Sequence, residues 1–276
     1  MGGTLVHNRN INSNICTDHT QLCKNNPIMT RSLPRLHVTQ GLASGIVFSI
    51  EGNPAHYLQH VMRLKVGHKI RVFNGQDGEW QAEISGSKRD TVTLNISHQT
   101  RAQFTSLPIV LAFAPLKKTS MDFLIIKATE LGVSVLQPII TERSENKRIN
   151  LIRLQAQIRE ASEQCERLDL PILNKAINFC SFLDNWPKSS PLWCCNKTSR
   201  GPSLPEALLP LNKKIAAHSH GFLIGPEGGF SPNELASLGG FDFVNIVSLG
   251  PRILRAETAA IAALTCWQSL LGDWCR

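Results

Sequence analysis

The spacing of apolar residues changes character once along this chain. From residue 33 to about 104, short apolar runs at 45–50, 69–73, 79–84 and 91–96 are separated by Asn, Asp and Gly. That is the pattern of strands joined by tight turns, and the NGQDGE stretch at 74–79 is a strong hairpin signal. One helix is expected among them at 54–64, which would put His56, His60 and Arg63 on one face at i, i+4 and i+7. From residue 107 onward strands and helices alternate, predicting a mostly parallel α/β sheet. Strands are expected at 109–115, 133–140, 192–195, 222–224 and 243–249. Helices are expected at 121–131 and after a cap at Asn150, with Leu151, Leu154, Ile158, Ala161, Cys165 and Leu168 on the inner stripe. Residues 1–32 are rich in asparagine and lack a hydrophobic period; they are expected to be disordered, or an extension upstream of a natural start at Met29. The expected division is therefore 1–32, 33–104 and 105–276.

Two stretches near the C-terminus repeat one plan of apolar run, glycine turn and helix: FLIGPEGGFSPNEL at 222–235 and IVSLGPRILRAETAAIAAL at 246–264. In the first, Gly225 and Pro226 end a strand, and Gly228 and Gly229 permit a sharp bend. Ser231, Pro232 and Glu234 then form a capping box that opens a helix of about two turns, ending at Gly239 and Gly240. In the second, Gly250 and Pro251 break the strand. From about Glu257, Ala259, Ala260, Ala263, Leu264, Trp267, Leu270 and Leu271 recur at helical spacing, implying close packing on the sheet or on a partner subunit. Two such bends side by side expose main-chain N–H and C=O groups where open α/β sheets bind ligands. No Gly-Lys-Ser/Thr follows either bend and no G-x-G-x-x-G occurs, so neither a phosphate loop nor a dinucleotide fold is indicated.

Composition narrows the class. The 276 residues are 42% hydrophobic, enough for real cores, and no run of about 18 apolar residues suggests a membrane span. Residues 1–30 lack the apolar region of a secretory signal, so the protein is expected in the cytoplasm. The eight cysteines form no C-x-x-C and read as reduced structural thiols. The histidine pair at i, i+4 has Tyr57 where a zinc protease has Glu, and no metal is expected. The formal charge is +8, and residues 31–105 supply nine Lys/Arg against five Asp/Glu, half of the excess. A basic edge of Arg35, His56, His60, Arg63, Lys65 and Arg71 is the candidate contact with a polyanion; ordinary solubility charge is the alternative.

The pair GPEGGFS and LGPRILRAETAAIAAL resembles the two C-terminal signatures of the SPOUT methyltransferases, specifically those of the 16S ribosomal RNA uracil-N3 methyltransferase family. KATELGV at 127–133, QPIITERS at 137–144, EASEQCERLDLP at 160–171 and PRLHV at 34–38 agree, so the resemblance runs from about residue 33 to the C-terminus. It implies an N-terminal PUA-like β-barrel domain that grips RNA, a C-terminal SPOUT-type parallel sheet tied in a trefoil knot, and a homodimer. The implied cofactor is S-adenosylmethionine and the implied substrate is 16S ribosomal RNA of the small subunit.

The same resemblance implies that Cys195, Leu223, Gly225, Gly228, Leu249, Gly250, Ile253 and Leu254 hold the cofactor, largely through backbone. Losing the N3 proton spreads negative charge over the two uracil carbonyl oxygens, so a fixed guanidinium aimed there favours the transition state. Arg255 is the first candidate and Arg252 the second. Glu257 would orient an arginine or take the proton, and Arg143 would approach the base or its phosphate. A loop salt bridge of Arg255 with Glu227 or Glu257 is the structural alternative. A methyltransferase for another RNA site and a non-catalytic ribosome assembly factor remain open.

Overall fold

The computed structural model describes residues 33–104, 106–145, 148–196, 201–211 and 219–275. The expectation for residues 1–32, with Cys16 and Cys23, lies outside them. Strands β1 (Arg35–His37), β2 (Val47–Glu51), β3 (Lys69–Phe73), β4 (Glu79–Lys88) and β5 (Thr91–Arg101) form one sheet in the order β1-β3-β4-β5-β2. All neighbours are antiparallel except β1, which runs parallel to β3. Alternate residues turn inward, so Ile70, Val72, Ala82, Ile84, Val92, Leu94 and Ile96 share one buried cluster.

The expected helix at 54–64 is shorter and changes pitch. Helix α1 (Asn53–His56) passes into a π turn over Tyr57–Val61, where the Met62 amide donates to the Tyr57 carbonyl at 2.9 Å. Arg63 then takes a left-handed backbone with φ 53°, so it does not continue the histidine face at i+7. Sequence period assumes 3.6 residues per turn throughout, and the wider turn breaks that assumption.

The second sheet contains β6 (Ile109–Phe113), β7 (Val135–Ile140), β8 (Ile172–Leu173), β10 (Leu192–Cys195), β11 (His220–Ile224) and β12 (Val244–Val247) in the order β12-β10-β11-β6-β7-β8. A seventh strand, β9 (Ile177–Asn178), pairs with the far end of β7. Every pairing is parallel. The strands read as unbroken apolar runs because both faces are covered.

On one face, Ile109, Leu111, Phe113, Trp193, Phe222 and Ile224 pack with α2 (Lys118–Glu130), α3 (Leu151–Gln164), α5 (Leu204–Leu208) and α7 (Ala256–Leu270). On the other, Ala112, Cys194 and Leu223 pack with Phe179, Phe182 and Leu183 of α4 (Phe179–Asp184) and Leu238 of α6 (Pro232–Leu238). The alanine face of α7 therefore meets its own sheet and α2, with Ala260, Ala263 and Leu264 fully buried.

Arg35 couples the small lobe to this layer. Its Nε donates to Glu79, Nη1 to the carbonyls of Ser162 and Glu163, and Nη2 to the carbonyl of Arg167, all within 3.1 Å. The Ser162 and Glu163 carbonyls lie in the last turn of α3, where a cation is favourable, and that of Arg167 lies just beyond it. Arg167 repeats the device for α2, donating to the carbonyls of Thr129 and Val133, and Gln268 of α7 donates to that of Leu131.

Candidate active site

The carboxyl ends of β10, β11 and β12 open into a cavity of about 470 Å³. Its lower wall is Cys195 and Ile224, and one side is the bend after β11, with Gly225, Pro226, Glu227, Gly229 and Phe230. The other side is the loop from Ser248 to Arg255, which includes Leu249, Gly250, Arg252, Ile253 and Leu254. Lys117, Ser120 and Ala259 complete it from the starts of α2 and α7.

Local chemistry shapes both bends. After β11, the Gly229 amide closes a turn on the Pro226 carbonyl at 2.8 Å with φ 71° at Gly229. A side chain on Gly225 would lie 2.9 Å from the Phe230 ring, so only glycine fits there without displacing that ring. Helix α6 then starts as its sequence demands: Ser231 and Glu234 make the reciprocal capping box. Glu234 also accepts from the Glu142 amide at 2.9 Å, tying the loop after β7 to this bend. After β12, Gly250 has φ 102°, a conformation that L side chains rarely adopt. The strand end is clasped by the segment before α5, since the Ser248 amide donates to Pro202 and the Leu204 amide donates to Ser248. Among the described residues, the backbone N–H groups of Leu249, Ile253 and Leu254 have no hydrogen-bond partner.

Eight of the residues expected at a cofactor pocket or catalytic group line this cavity: Cys195, Gly225, Leu249, Gly250, Arg252, Ile253, Leu254 and Arg255. Burial, reinforced by the neighbouring Cys266, pushes the Cys195 thiol up to about 12, so it presents a neutral, weakly polar wall. Arg255 occupies the cap position of α7, and among the described residues it enters no ion pair with Glu227 or Glu257.

Four expected residues have their side chains or positions elsewhere. Leu223 faces α4 and α6, because successive strand residues alternate sides; Ile224 takes its place at the cavity. Gly228 lies outside the main cavity, and Gly229 supplies the wall instead. Glu257 is buried behind it, accepting from Ser120 Oγ at 3.1 Å. Arg35, only 7% exposed, is spent on Glu79 and the end of α3, so it leaves the basic edge.

Of the remaining basic candidates, His56 and His60 are exposed with ring centroids 4.6 Å apart, and Arg63 is exposed off their face. Arg71 is held by Glu79 at 3.5 Å and Glu166 at 3.6 Å. Arg143 donates to the carbonyls of Gly228 and Phe230, bracing the bend after β11. Sequence reasoning missed Lys117 and Ser120, which lie far upstream of the bends in the chain; PLKKTS carries no local signal for them.

No helix among the described residues is long and apolar enough to cross a membrane, and no group of three potential metal ligands is found among them. A parallel sheet whose last strands enclose a main-chain-lined cavity follows a small β lobe, and the family matches make this the fold of an RNA methyltransferase. Residues 104–268 match the family described as an RNA methyltransferase domain, and residues 50–97 match the RNA methyltransferase PUA domain. More narrowly, the chain belongs to the ribosomal RNA small subunit methyltransferase E family. It is 32% identical over 243 residues to that protein of Rickettsia conorii, covering 88% of this chain and 97% of the relative. It is 36% identical to the one of Synechocystis, covering 78% and 71%. The crystal structure of the Neisseria gonorrhoeae protein of that name, bound to S-adenosyl methionine, superposes with a TM-score of 0.77 at 29% identity, covering 88% of this chain and 99% of that one. The fold class expected from sequence, a PUA-like domain followed by a SPOUT-type parallel-sheet domain, is the fold observed.

Proposed function

We propose that the protein methylates N3 of a uridine in 16S ribosomal RNA, with S-adenosylmethionine held in the cavity between the two glycine bends. The observation that carries the reading is the cavity itself: unpartnered main-chain amides at Leu249, Ile253 and Leu254, the apolar Ile224 and the close-packed Gly225 stand around about 470 Å³, with Arg255 on the rim. That volume lies within the range for small-ligand sites. Main-chain donors and acceptors suit an adenine edge, and apolar walls suit its faces. When bound, the cofactor supplies an electrophilic methyl carried on a sulfonium. The protein's share is to orient it and place Arg255 where charge develops on the target base.

RNA contact falls on exposed His56, His60 and Arg63 of the small lobe, with domain limits at 33–104 and 105–276 and residues 1–32 as an extension. A chain clasped at Ser248 by the segment before α5 is compatible with the trefoil knot of this family, and the working unit is a homodimer in the cytoplasm.

The test is to incubate purified protein with labelled S-adenosylmethionine and unmodified small subunits, then digest the RNA and identify the labelled nucleoside. The expected product is 3-methyluridine in the 16S RNA. A different methylated nucleoside overturns the N3 reading, and absence of label overturns the catalytic one.

A further inference from the structure

Lys117 stands where two cavities meet. It lines the 470 Å³ cavity together with Arg255, and it also lines a small adjoining cleft with Arg143, Glu145, Glu227 and Gly228. The two cavities share Lys117, Pro226 and Glu227 as a common wall, so Lys117 borders the space that Arg255 also faces. Arg143 is not free to meet it, because its guanidinium braces the carbonyls of Gly228 and Phe230. Lys117 is free to turn: its ion pair is with Glu145 at 3.9 Å, and both side chains are about two-thirds exposed, at 67% and 69%. Exposed pairs at that distance hold weakly.

The chemistry of the base asks for two cations. Uracil N3 is flanked by two carbonyl oxygens, one on each side, and the anion formed on losing the N3 proton places charge on both. A single guanidinium at one oxygen leaves the other to be stabilised from the opposite direction. In methyl transfer the N3–H bond breaks with its proton passing to solvent water, and the N3 electron pair forms the new N–C bond. The electrons of the broken S–C bond remain on sulfur as a neutral thioether.

We propose that Lys117 is the second cationic contact to the target base, donating to one uracil carbonyl oxygen while Arg255 donates to the other. This rests on the uracil-N3 reading above.

The test compares Lys117→Met and Lys117→Arg with the wild-type full-length enzyme on unmodified small subunits, with thermal melting to establish that the variants fold. For Lys117→Met, kcat is expected to fall by on the order of 10²-fold, as for loss of one oxyanion donor. Calorimetric affinity for S-adenosylmethionine should be unchanged, and the rising limb of the pH–rate profile should move to higher pH, because the imide is no longer acidified. Lys117→Arg should restore most of the rate and the wild-type profile. An unchanged kcat and pH profile in Lys117→Met would overturn the assignment. So would a raised KM alone with a smaller salt slope, which is the mark of a phosphate contact. If the wild type yields 3-methyluridine and the variant matches it, only the Lys117 assignment fails; a different wild-type product removes the N3 reading itself.

Discussion

Arg35 Nε lies 2.6 Å from the Glu79 carboxylate, with the arginine side chain 4% exposed and the glutamate 0%. The same guanidinium caps the carbonyl end of α3 and stacks 4.5 Å over Phe73, so one side chain joins the small lobe to the helical layer on the second sheet. Removing Arg35 leaves buried Glu79 with its longer pairs to Arg71 at 3.5 Å and Arg101 at 3.8 Å and takes the donor from the carbonyls at the end of α3; breaking a buried pair from one side costs up to about 3–5 kcal/mol. Arg35→Ala should lose stability on that scale in denaturant unfolding, and a double Arg35→Met, Glu79→Leu variant should lose less. Equal losses in the two would show that the pair itself contributes little.

Acid sensitivity should arise at the same junction. Burial, reinforced by the charge of Arg159, pushes His37 from 6.5 down to about 4. The unfolded chain therefore binds a proton between those values that the folded protein refuses, and stability falls as pH drops from 6.5 toward 4. Burial would raise the Glu79 carboxyl, but hydrogen bonds from Arg35 and Thr100 and the charges of Arg35 and Arg71 outweigh it and hold the group below its ordinary value. Its contribution is lost at still lower pH, as the folded group titrates. Glu163, pushed up mainly by burial against the amide of His37 and the charges of Arg159 and Arg35, works in the opposite direction above its ordinary value. His37→Gln should flatten the dependence of unfolding free energy on pH between 6.5 and 4; an unaltered slope would remove His37 as its source.

Ser231 and Glu234 cap α6 together, but only Glu234 also holds the Glu142 amide. Ser231→Ala should cost about 1 kcal/mol, the usual value of an N-cap. Glu234→Ala should cost more and should also slow methyl transfer, since the loop carrying Arg143 loses its anchor to the bend. Equal stability losses with unaltered turnover in both variants would count against that coupling.

Arg255 occupies the cap of α7 and is not used in an ion pair among the described residues. Arg255→Ala should retain S-adenosylmethionine affinity while slowing turnover by on the order of 10²-fold. Wild-type turnover in that variant would take Arg255 out of the mechanism.

Much of this was legible in the residues. The Ser231–Glu234 box, the paired glycine bends and the continuous apolar strands declare themselves because each depends on neighbours within a few positions. Elements that need distant partners did not: β1 is three residues long and exists by pairing with β3, and β8 and β9 are two residues each, held by β7. The π turn at Tyr57 disrupted a period that looked regular, moving Arg63 off the histidine face. Arg35 read as a surface cation because its partners, Glu79 and the carbonyls near residues 162 to 167, lie 44 and more positions away. Lys117 went unnoticed for the same reason, since only folding brings it to the bends.

Ala259 sits on α7 facing the cavity, where a larger side chain would occupy the space between the bends. Calorimetric titration of S-adenosylmethionine into the purified wild type should give saturable binding at one site per chain, and Ala259→Phe, folded by circular dichroism, should lose it. A wild type that takes up no S-adenosylmethionine, or a variant that binds it as well as the wild type does, would contradict the placement of the donor between the two bends.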